Sequence, residues 1–166
     1  MNFAAIRTGD AVFIDANVFV YDLGPHPAFG LPCRALLGRV EAGELKGYAS
    51  SHVLHDVAHR LMTVEACQTL GWSYSGIGRR LRRSLLEIQK LHRFQTALNG
   101  IVGAGVQVLP VSAEHVLLAA RLSQAHGLLS GDALILAMIQ GHGISSLASG
   151  DADFDRVPGI TRYSPA

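Results

Sequence analysis

AVFIDANVFV, residues 11–20, is the stretch that decides the fold class of this chain. Its first four residues are all apolar, which is typical of a short strand buried on both faces. Asp15 follows directly and is a residue type that commonly begins a helix, and the next residues are helix-compatible. A strand that leads straight into a helix predicts the first half of a β–α–β unit, in which helices connect parallel strands.

The rest of the chain repeats this alternation. Further strand patterns lie around Tyr48 and at Val106–Leu109, Ile144–Ala148 and Ile160–Tyr163. Helical patterns lie between them, at Leu31–Ala42, from Ser50 or Ser51 to about Cys67, at Ile77–Leu98, from Ser112 to about His126, and at Ser130–Gly141. Gly24-Pro25-His26-Pro27 and Gly71–Gly78 are predicted loops. We therefore expect one α/β domain over residues 1–166 with a mainly parallel sheet, and a site at the carboxyl ends of its strands.

Composition excludes several classes of protein. The chain has 166 residues, of which 49% are hydrophobic and 16% charged, so it is not intrinsically disordered. Its formal charge of +1 provides no overall attraction to nucleic acid or acidic lipid. No apolar run of about 20 residues and no signal-like N-terminus is present, and two cysteines do not indicate a disulfide framework. We expect a cytoplasmic protein with no membrane association.

Three aspartates are placed where a site is expected. Asp15 and Asp151 each follow a predicted strand, although either could simply begin a helix or a turn. Asp132 is the only formally charged residue between Leu122 and Gly150, and it lies in the first turn of the most apolar helix. A favourable interaction with the helix dipole could explain it. A buried carboxylate there would need a cation or hydrogen bonds, which favours a functional role.

Asp56 is less informative by pattern alone. In SSHVLHDVAHRL it falls on the polar side of the predicted helix, beside Arg60, His52 and His59. A solvated helix face is sufficient to explain this position.

Four segments together resemble a known family. In chain order they are VFIDANVFVYDL, SSHVLHDVAHRL, GLLSGDALILA and LASGDADFDRVPGI. Together they resemble the signature segments of PIN-domain nucleases, and most of all those of the VapC-like toxins of bacterial toxin–antitoxin pairs. The resemblance covers about residues 12–163. It implies a three-layer α/β fold with an acidic pocket that holds Mg²⁺ or Mn²⁺. It also implies an endoribonuclease, a cognate VapB-like antitoxin that inserts a segment into the cleft, and a homodimer.

The resemblance assigns roles residue by residue. Asp15, Asp132 and Asp151 match the metal-site aspartates of the family, and Asn17 and Ser149 match residues that support them. The acids Asp153 and Asp155 are secondary candidates. At the fourth acidic position the family usually has Glu, whereas this chain has Asp56, whose side chain is one methylene shorter. That departure implies water-mediated metal binding or a shifted helix, and it leaves open a catalytically weakened PIN-like binding module.

Two other patterns are candidates for function. Four arginines lie on the polar face of the predicted helix Ile77–Leu98, namely Arg79, Arg80, Arg82 and Arg83. They form either a solvated face or a surface that contacts RNA phosphates. His55 and His59, in HDVAH, are one residue away from the zinc-binding motif H-E-x-x-H. A zinc hydrolase remains a weaker alternative, because no third ligand is evident and the aspartates would be unexplained. Trp72 and Tyr74 could lie in an interface or in the core.

Overall fold

Five short parallel strands form one sheet at the centre of the protein. The computed structural model describes residues 1–24 and 26–165; Pro25, in a predicted loop, and Ala166 lie outside the described residues. The strands are β1 (Ala11–Ile14), β2 (Lys46–Ser50), β3 (Gln107–Leu109), β4 (Ser146–Ala148) and β5 (Thr161–Tyr163). They are ordered β3-β2-β1-β4-β5, and every pairing is parallel.

Helices connect the strands. They are α1 (Ala16–Leu23), α2 (Gly30–Glu41), α3 (Ser51–Leu70), α4 (Ile77–Arg82), α5 (Leu85–Ile88), α6 (Arg93–Gly103), α7 (Ala113–His126) and α8 (Ser130–Gly141), with short 3₁₀ turns at Phe3–Ala5 and Ala152–Arg156. Connections between parallel strands are right-handed, so α1–α6 cover one face of the sheet and α7 and α8 cover the other. The expected α/β class with a parallel sheet between helical layers is confirmed.

The central strand explains why a site forms where it does. Val12, Phe13 and Ile14 of β1 have no exposed surface, so both faces of this strand are covered. The strand order reverses between β1 and β4, since β2 and β3 lie on one side of β1 and β4 and β5 on the other. Ile14 pairs with Ala148, so these strands end level with each other. The residues that follow them therefore emerge together at the reversal point, where α/β proteins bind ligands.

The prediction of a single helix over Ile77–Leu98 is wrong, because the chain forms α4, α5 and the first part of α6 there. Ser84 has φ −126° and ψ 61°, outside the helical region. The carboxylate of Glu65 in α3 accepts hydrogen bonds from the backbone N–H of His92 at 3.0 Å and of Arg93 at 2.9 Å, and α6 begins at this point. A tertiary contact that periodicity does not reveal thus sets the start of α6.

The aromatic residues of the predicted 71–78 loop have different surroundings. Trp72 packs beside the small apolar cluster between α3 and α4, and the guanidinium carbon of Arg80 lies 4.2 Å from its ring centroid. Tyr74 is 72% exposed, and the apolar side chains of Leu85 (69%) and Leu86 (72%) are similarly exposed. Trp72 therefore belongs to the packed structure and Tyr74 to the surface.

No single helix within residues 1–24 and 26–165 is long and apolar enough to cross a membrane. The helices α7 and α8 taken together reach that length and composition, and they are bent by 112° relative to each other.

Candidate metal centre

Four aspartates line one pocket of about 360 Å³ at the reversal point of the sheet. Asp15 follows β1 and Asp151 follows β4 through a two-residue connection. Asp56 lies in the second turn of α3, and Asp132 in the first turn of α8. The strand ends and the helix starts therefore bring together acids that are far apart in the sequence.

Ser149 organises the floor of this pocket. It has no exposed surface, and its hydroxyl donates a hydrogen bond of 2.6 Å to Oδ2 of Asp15. The same hydroxyl oxygen accepts hydrogen bonds from Nδ2 of Asn17 at 3.1 Å and from the backbone N–H of Asp151 at 3.0 Å. Ser149 thus fixes the Asp15 carboxylate relative to the loop that carries Asp151.

Asn17 adds a second connection between the same two segments. Its amide nitrogen donates to Oδ2 of Asp15, and its amide oxygen accepts the backbone N–H of Gly150 at 3.0 Å. Asn17 is 8% exposed and Asp15 is 7% exposed, so both lie below the surface of the pocket. Buried hydrogen bonds of this kind hold a carboxylate in one orientation.

Three aspartates offer closely spaced ligand atoms. Carboxylate oxygens of Asp132, Asp151 and Asp153 all lie within 4.8 Å of one another, and all three residues are partly buried. Asp153 also lies 3.1 Å from Arg156, and its backbone N–H donates to Oδ1 of Asp151 at 2.9 Å. The structure thus places the carboxylate of Asp153 close to those of Asp132 and Asp151.

Asp155 is directed elsewhere. Its two carboxylate oxygens accept hydrogen bonds from Nε and Nη2 of Arg162, both at 2.7 Å. Arg162 keeps the pKa of Asp155 below its usual value through these hydrogen bonds. Nη1 of Arg162 donates to the backbone carbonyl of Ser149 at 3.1 Å. The ion pair therefore braces the loop that carries the site rather than placing Asp155 among the closely spaced oxygens.

Repulsion and burial act on two of the acids. Burial, followed by the negative charges of Asp151 and Asp15, raises the pKa of Asp132 from 3.8 to about 6. Burial also raises the pKa of Asp15, against the hydrogen bond from Ser149 that lowers it. The positive charge of Arg60 lowers both values but does not cancel the increase. Carboxylates held together at this cost in electrostatic free energy are characteristic of sites that bind a cation.

The raised pKa values predict how the stability of the metal-free protein depends on pH. A carboxyl group with a higher pKa in the folded chain holds its proton more tightly there, so it favours folding below about pH 4. That contribution is lost as the pH rises through the pKa of Asp132, about 6. We expect Asp132→Asn to stabilise the protein at pH 7.5 by up to about 1 kcal/mol more than at pH 5, once solvent screening of this partly buried group is allowed for. Urea unfolding in chelator at both pH values measures this; an equal effect at both would contradict it.

Three polar side chains that line the pocket were not identified as site residues from the sequence. His52 and Arg60 share one face of α3 with Asp56 at intervals of four residues, and all three line the pocket. Tyr21 of α1 also lines the pocket. Spacing alone was the available signal for His52 and Arg60, and it is equally consistent with a solvated face. The structure shows that this face borders the acids.

The histidines of the zinc alternative lie apart from this cluster. His55 and His59 are exposed. In the part of the chain that the structure describes, the only group of three or more histidine, cysteine or acidic residues close enough to share a metal is Asp132, Asp151 and Asp153. All of its ligands are oxygens, which suits Mg²⁺ or Mn²⁺ better than zinc.

The four arginines lie at a distance from the acids. They belong to α4 or follow it directly, and α4 packs beside the apolar residues Met62 and Leu70 of α3. At a rise of 1.5 Å per residue, Met62 and Leu70 lie about 9 and 21 Å beyond Asp56 along the axis of α3, so α4 and its arginines pack at that distance from the acid. Among the ion pairs of the described residues, none joins Arg79, Arg80, Arg82 or Arg83 to a carboxylate. All four residues are exposed, and Arg80 also packs over the ring of Trp72.

A second and larger groove lies beside the pocket. It has a volume of about 830 Å³, is mostly apolar, and runs between α1 and α2 on one side and α3 and α6 on the other. Asp22, Leu23 and Gly24, at the end of α1, form part of its wall and follow Tyr21 of the acidic pocket. The two cavities are therefore neighbours along α1.

Comparison with known proteins agrees with this geometry. A family model described as the PIN domain matches residues 12–160. Ribonuclease VapC13 of Mycobacterium tuberculosis is 28% identical over 154 residues, which span 92% of this chain and 99% of that protein.

Solved structures share the fold at lower identity. VapC20 of Mycobacterium tuberculosis, described as a toxin that cleaves the sarcin–ricin loop, aligns with a TM-score of 0.61 at 18% identity, over 89% of this chain and 95% of that one. VapBC2 of Rickettsia felis, solved with a DNA fragment from its promoter, aligns with a TM-score of 0.59 at 16% identity, over 93% and 98%.

Proposed function

The chain belongs to the PIN domain family, and we propose that it is a metal-dependent endoribonuclease that hydrolyses phosphodiester bonds of RNA. The observation that carries the proposal is the convergence of the Asp132, Asp151 and Asp153 carboxylates to within 4.8 Å. Of these, Asp132 and Asp151 line the strand-end pocket together with Asp15. The similarity to a relative named as a ribonuclease supports the choice of RNA.

The donor set of the pocket fits Mg²⁺ or Mn²⁺. We propose Asp15, Asp132 and Asp151 as direct ligands, with Asp153 at the edge of the group. Asp56 would act at a greater distance, through water, because its side chain is one methylene shorter than that of Glu. When bound, the cation activates water and neutralises the charge that develops at phosphorus.

Other residues of the pocket would position the substrate and the ligands. Ser149 and Asn17 keep Asp15 in one orientation through their buried hydrogen bonds. Arg60 would bind a phosphate oxygen of the RNA and reduce repulsion between the polyanion and the acids, since a guanidinium matches phosphate geometry.

The metal requirement is the first test of this function. We expect purified protein, freed of any co-purifying partner, to cleave structured RNAs in the presence of Mg²⁺ or Mn²⁺. Cleavage should stop when excess EDTA is added. The same cations should raise the melting temperature of the protein, because a ligand that binds only the folded chain stabilises it. Cleavage that persists in EDTA would reject the proposal. A folded protein that binds cation and RNA but cuts none of the RNAs would favour the alternative of a weakened binding module.

The cluster of Arg79, Arg80, Arg82 and Arg83 is proposed as a phosphate-binding surface for RNA outside the cleavage site. Its support is the solvent-facing charge and the position along α3 beyond Asp56. Such interactions add affinity without reading sequence, and they weaken with salt.

Replacing two of these arginines provides the prediction. Arg79→Gln/Arg83→Gln should lower RNA affinity and reduce the slope of log affinity against log salt by about 0.7 for each phosphate that is no longer neutralised. Arg121→Gln, at an exposed position on α7, is the matched control. Anisotropy titrations of labelled RNA at several salt concentrations measure both. Equal slopes for the pair and the control would show that the cluster is a solvated face.

Partners are proposed from the same similarity. The likeness to VapBC2 supports a VapB-like antitoxin, encountered in the cytoplasm, and we place one of its basic residues against the acids and its apolar residues in the neighbouring groove. The toxin itself would be a homodimer. Cleavage assays with added antitoxin test the first proposal, and light scattering of the isolated protein tests the second. Uninhibited cleavage would reject the antitoxin site, and a monomeric mass would reject the dimer.

A further inference from the structure

A cluster of three aromatic rings borders the acidic pocket and has no part in the metal centre. The rings of His26 and Phe29 are stacked, with centroids 4.8 Å apart and planes 7° from parallel. The ring of Tyr21 lies 4.8 Å from His26 and 5.4 Å from Phe29, tilted by 52° and 45°. All three residues are partly exposed, so part of the cluster faces solvent.

Tyr21 joins this cluster to the acids. It lines the acidic pocket together with Asp15 and Asp151. It also lies against Gly150, the residue before Asp151: a Cβ at Gly150 would stand 3.3 Å from Cε2 and 3.6 Å from the hydroxyl of Tyr21. The absence of a side chain at Gly150 therefore allows the ring to approach the loop that carries the acids.

The cluster is held in place by the backbone. Nδ1 of His26 accepts hydrogen bonds from the backbone N–H groups of Ala28 at 3.3 Å and Phe29 at 3.2 Å. These hydrogen bonds fix the imidazole with its proton on Nε2, which leaves a donor for the edge of a ligand. The apolar side of Tyr21 packs on the main core. A rigid aromatic surface costs little conformational entropy when a flat ligand binds to it.

We propose that Tyr21, supported by His26 and Phe29, stacks an unpaired base of the RNA next to the phosphodiester bond that the acidic pocket cleaves. The inference rests on the proposed function and names the form of RNA that fits. Bases stack on aromatic side chains only where they are unpaired, so loops, bulges and single strands are favoured over duplex. Stacking tolerates different bases, so the ring positions the chain more than it reads sequence.

Variants at Tyr21 separate stacking from packing. Tyr21→Leu keeps an apolar side chain against the core but removes the aromatic face, whereas Tyr21→Phe keeps the face. Tyr74→Ala removes an exposed tyrosine that does not line the pocket and serves as the matched control. Thermal melting of every variant establishes that it is folded.

The probe is a set of eight-nucleotide single-stranded RNAs, each carrying one 2-aminopurine at a different position. Binding is measured in the Asp132→Asn background with Mg²⁺, so that no strand is cut. We expect Tyr21→Leu to weaken binding on the order of 10-fold and to abolish the fluorescence quenching at one position. Tyr21→Phe and Tyr74→Ala should stay within about 2-fold of the parent. In the active protein, Tyr21→Leu should raise KM more than it lowers kcat.

The outcomes distinguish a failure of the stacking inference from a failure of the proposed nuclease function. Unchanged binding and quenching in Tyr21→Leu overturn the stacking inference, even if the wild-type protein cleaves RNA. Loss of quenching in Tyr21→Leu supports the inference, even if the wild-type protein cleaves nothing and the proposed nuclease function fails. A loss confined to antitoxin binding, with RNA binding intact, overturns the inference and assigns the rings to the protein partner.

Discussion

Asp132→Asn should reduce RNA cleavage by roughly 10³-fold or more while the protein remains folded. The Asp132 carboxylate belongs to the closely spaced group of oxygens, and its pKa is raised by burial and then by the negative charges of Asp151 and Asp15. The amide keeps the shape of the side chain but removes the charge that attracts the cation. Single-turnover cleavage of a structured RNA, with Mn²⁺ titrated over a wide range, measures the loss.

Two further variants make this result specific. Asp15→Asn should be as inactive as Asp132→Asn, although it is also expected to disturb the hydrogen bonds that Asp15 accepts. Glu114→Gln removes an exposed acid that also lies in the first turn of a helix, α7, and should keep full activity. An Asp132→Asn protein as active as Glu114→Gln would remove Asp132 from the site.

Ser149→Ala is the second large effect, and it should appear in both stability and activity. The hydroxyl is fully buried, donates to Asp15, and accepts from Asn17 and the backbone of Asp151. Removing it leaves the backbone N–H of Asp151 without its acceptor, and Asp15 and Asn17 each with one hydrogen bond fewer, at a cost of about 1–3 kcal/mol in the free energy of unfolding. Without the hydrogen bond that orients Asp15, a proposed metal ligand, activity should also fall by about 10- to 100-fold.

A change in the pH profile distinguishes this positioning role from simple destabilisation. The Ser149 hydrogen bond lowers the pKa of Asp15, so its removal should raise that pKa further. The acid limb of the activity profile should then move to higher pH, since Asp15 must lose its proton to bind a cation. Ser145→Ala, at an exposed position before β4, is the control for both measurements. A Ser149→Ala profile that is lower but not displaced would indicate a purely structural role.

The elements that could be predicted from the sequence are those whose pattern of apolar and polar residues is visible within a few consecutive positions. The apolar run of β1 and the acids that follow β1 and β4 could be located because strand ends and aspartates are both visible in the sequence. The helix from 77 to 98 could not be divided correctly, because the carboxylate of Glu65, 27 residues before His92, sets the start of α6. Periodicity contains no information about such a long-range hydrogen bond.

The same limit applies to the candidate site. Asp56 was consistent with a solvated face, and only the approach of α3 to α8 makes that face the wall of a pocket. Arg60 and Tyr21 needed the same tertiary information, since neither lies in a motif that specifies chemistry by itself. The family resemblance supplied Asp56 as a site candidate where the pattern did not.

The reversal of strand order also has a consequence for synthesis on the ribosome. β1 has β4 as one of its two neighbours, and Asp15 meets Ser149 across 134 residues of chain. At translation rates of 5–20 residues per second, the edge of β1 that pairs with β4 remains unpaired for roughly 7–27 seconds. During that interval a fully apolar strand has an open edge, which is a hazard for aggregation. The acidic pocket is also incomplete throughout that interval, so the proposed metal site cannot form before Asp151 has been made.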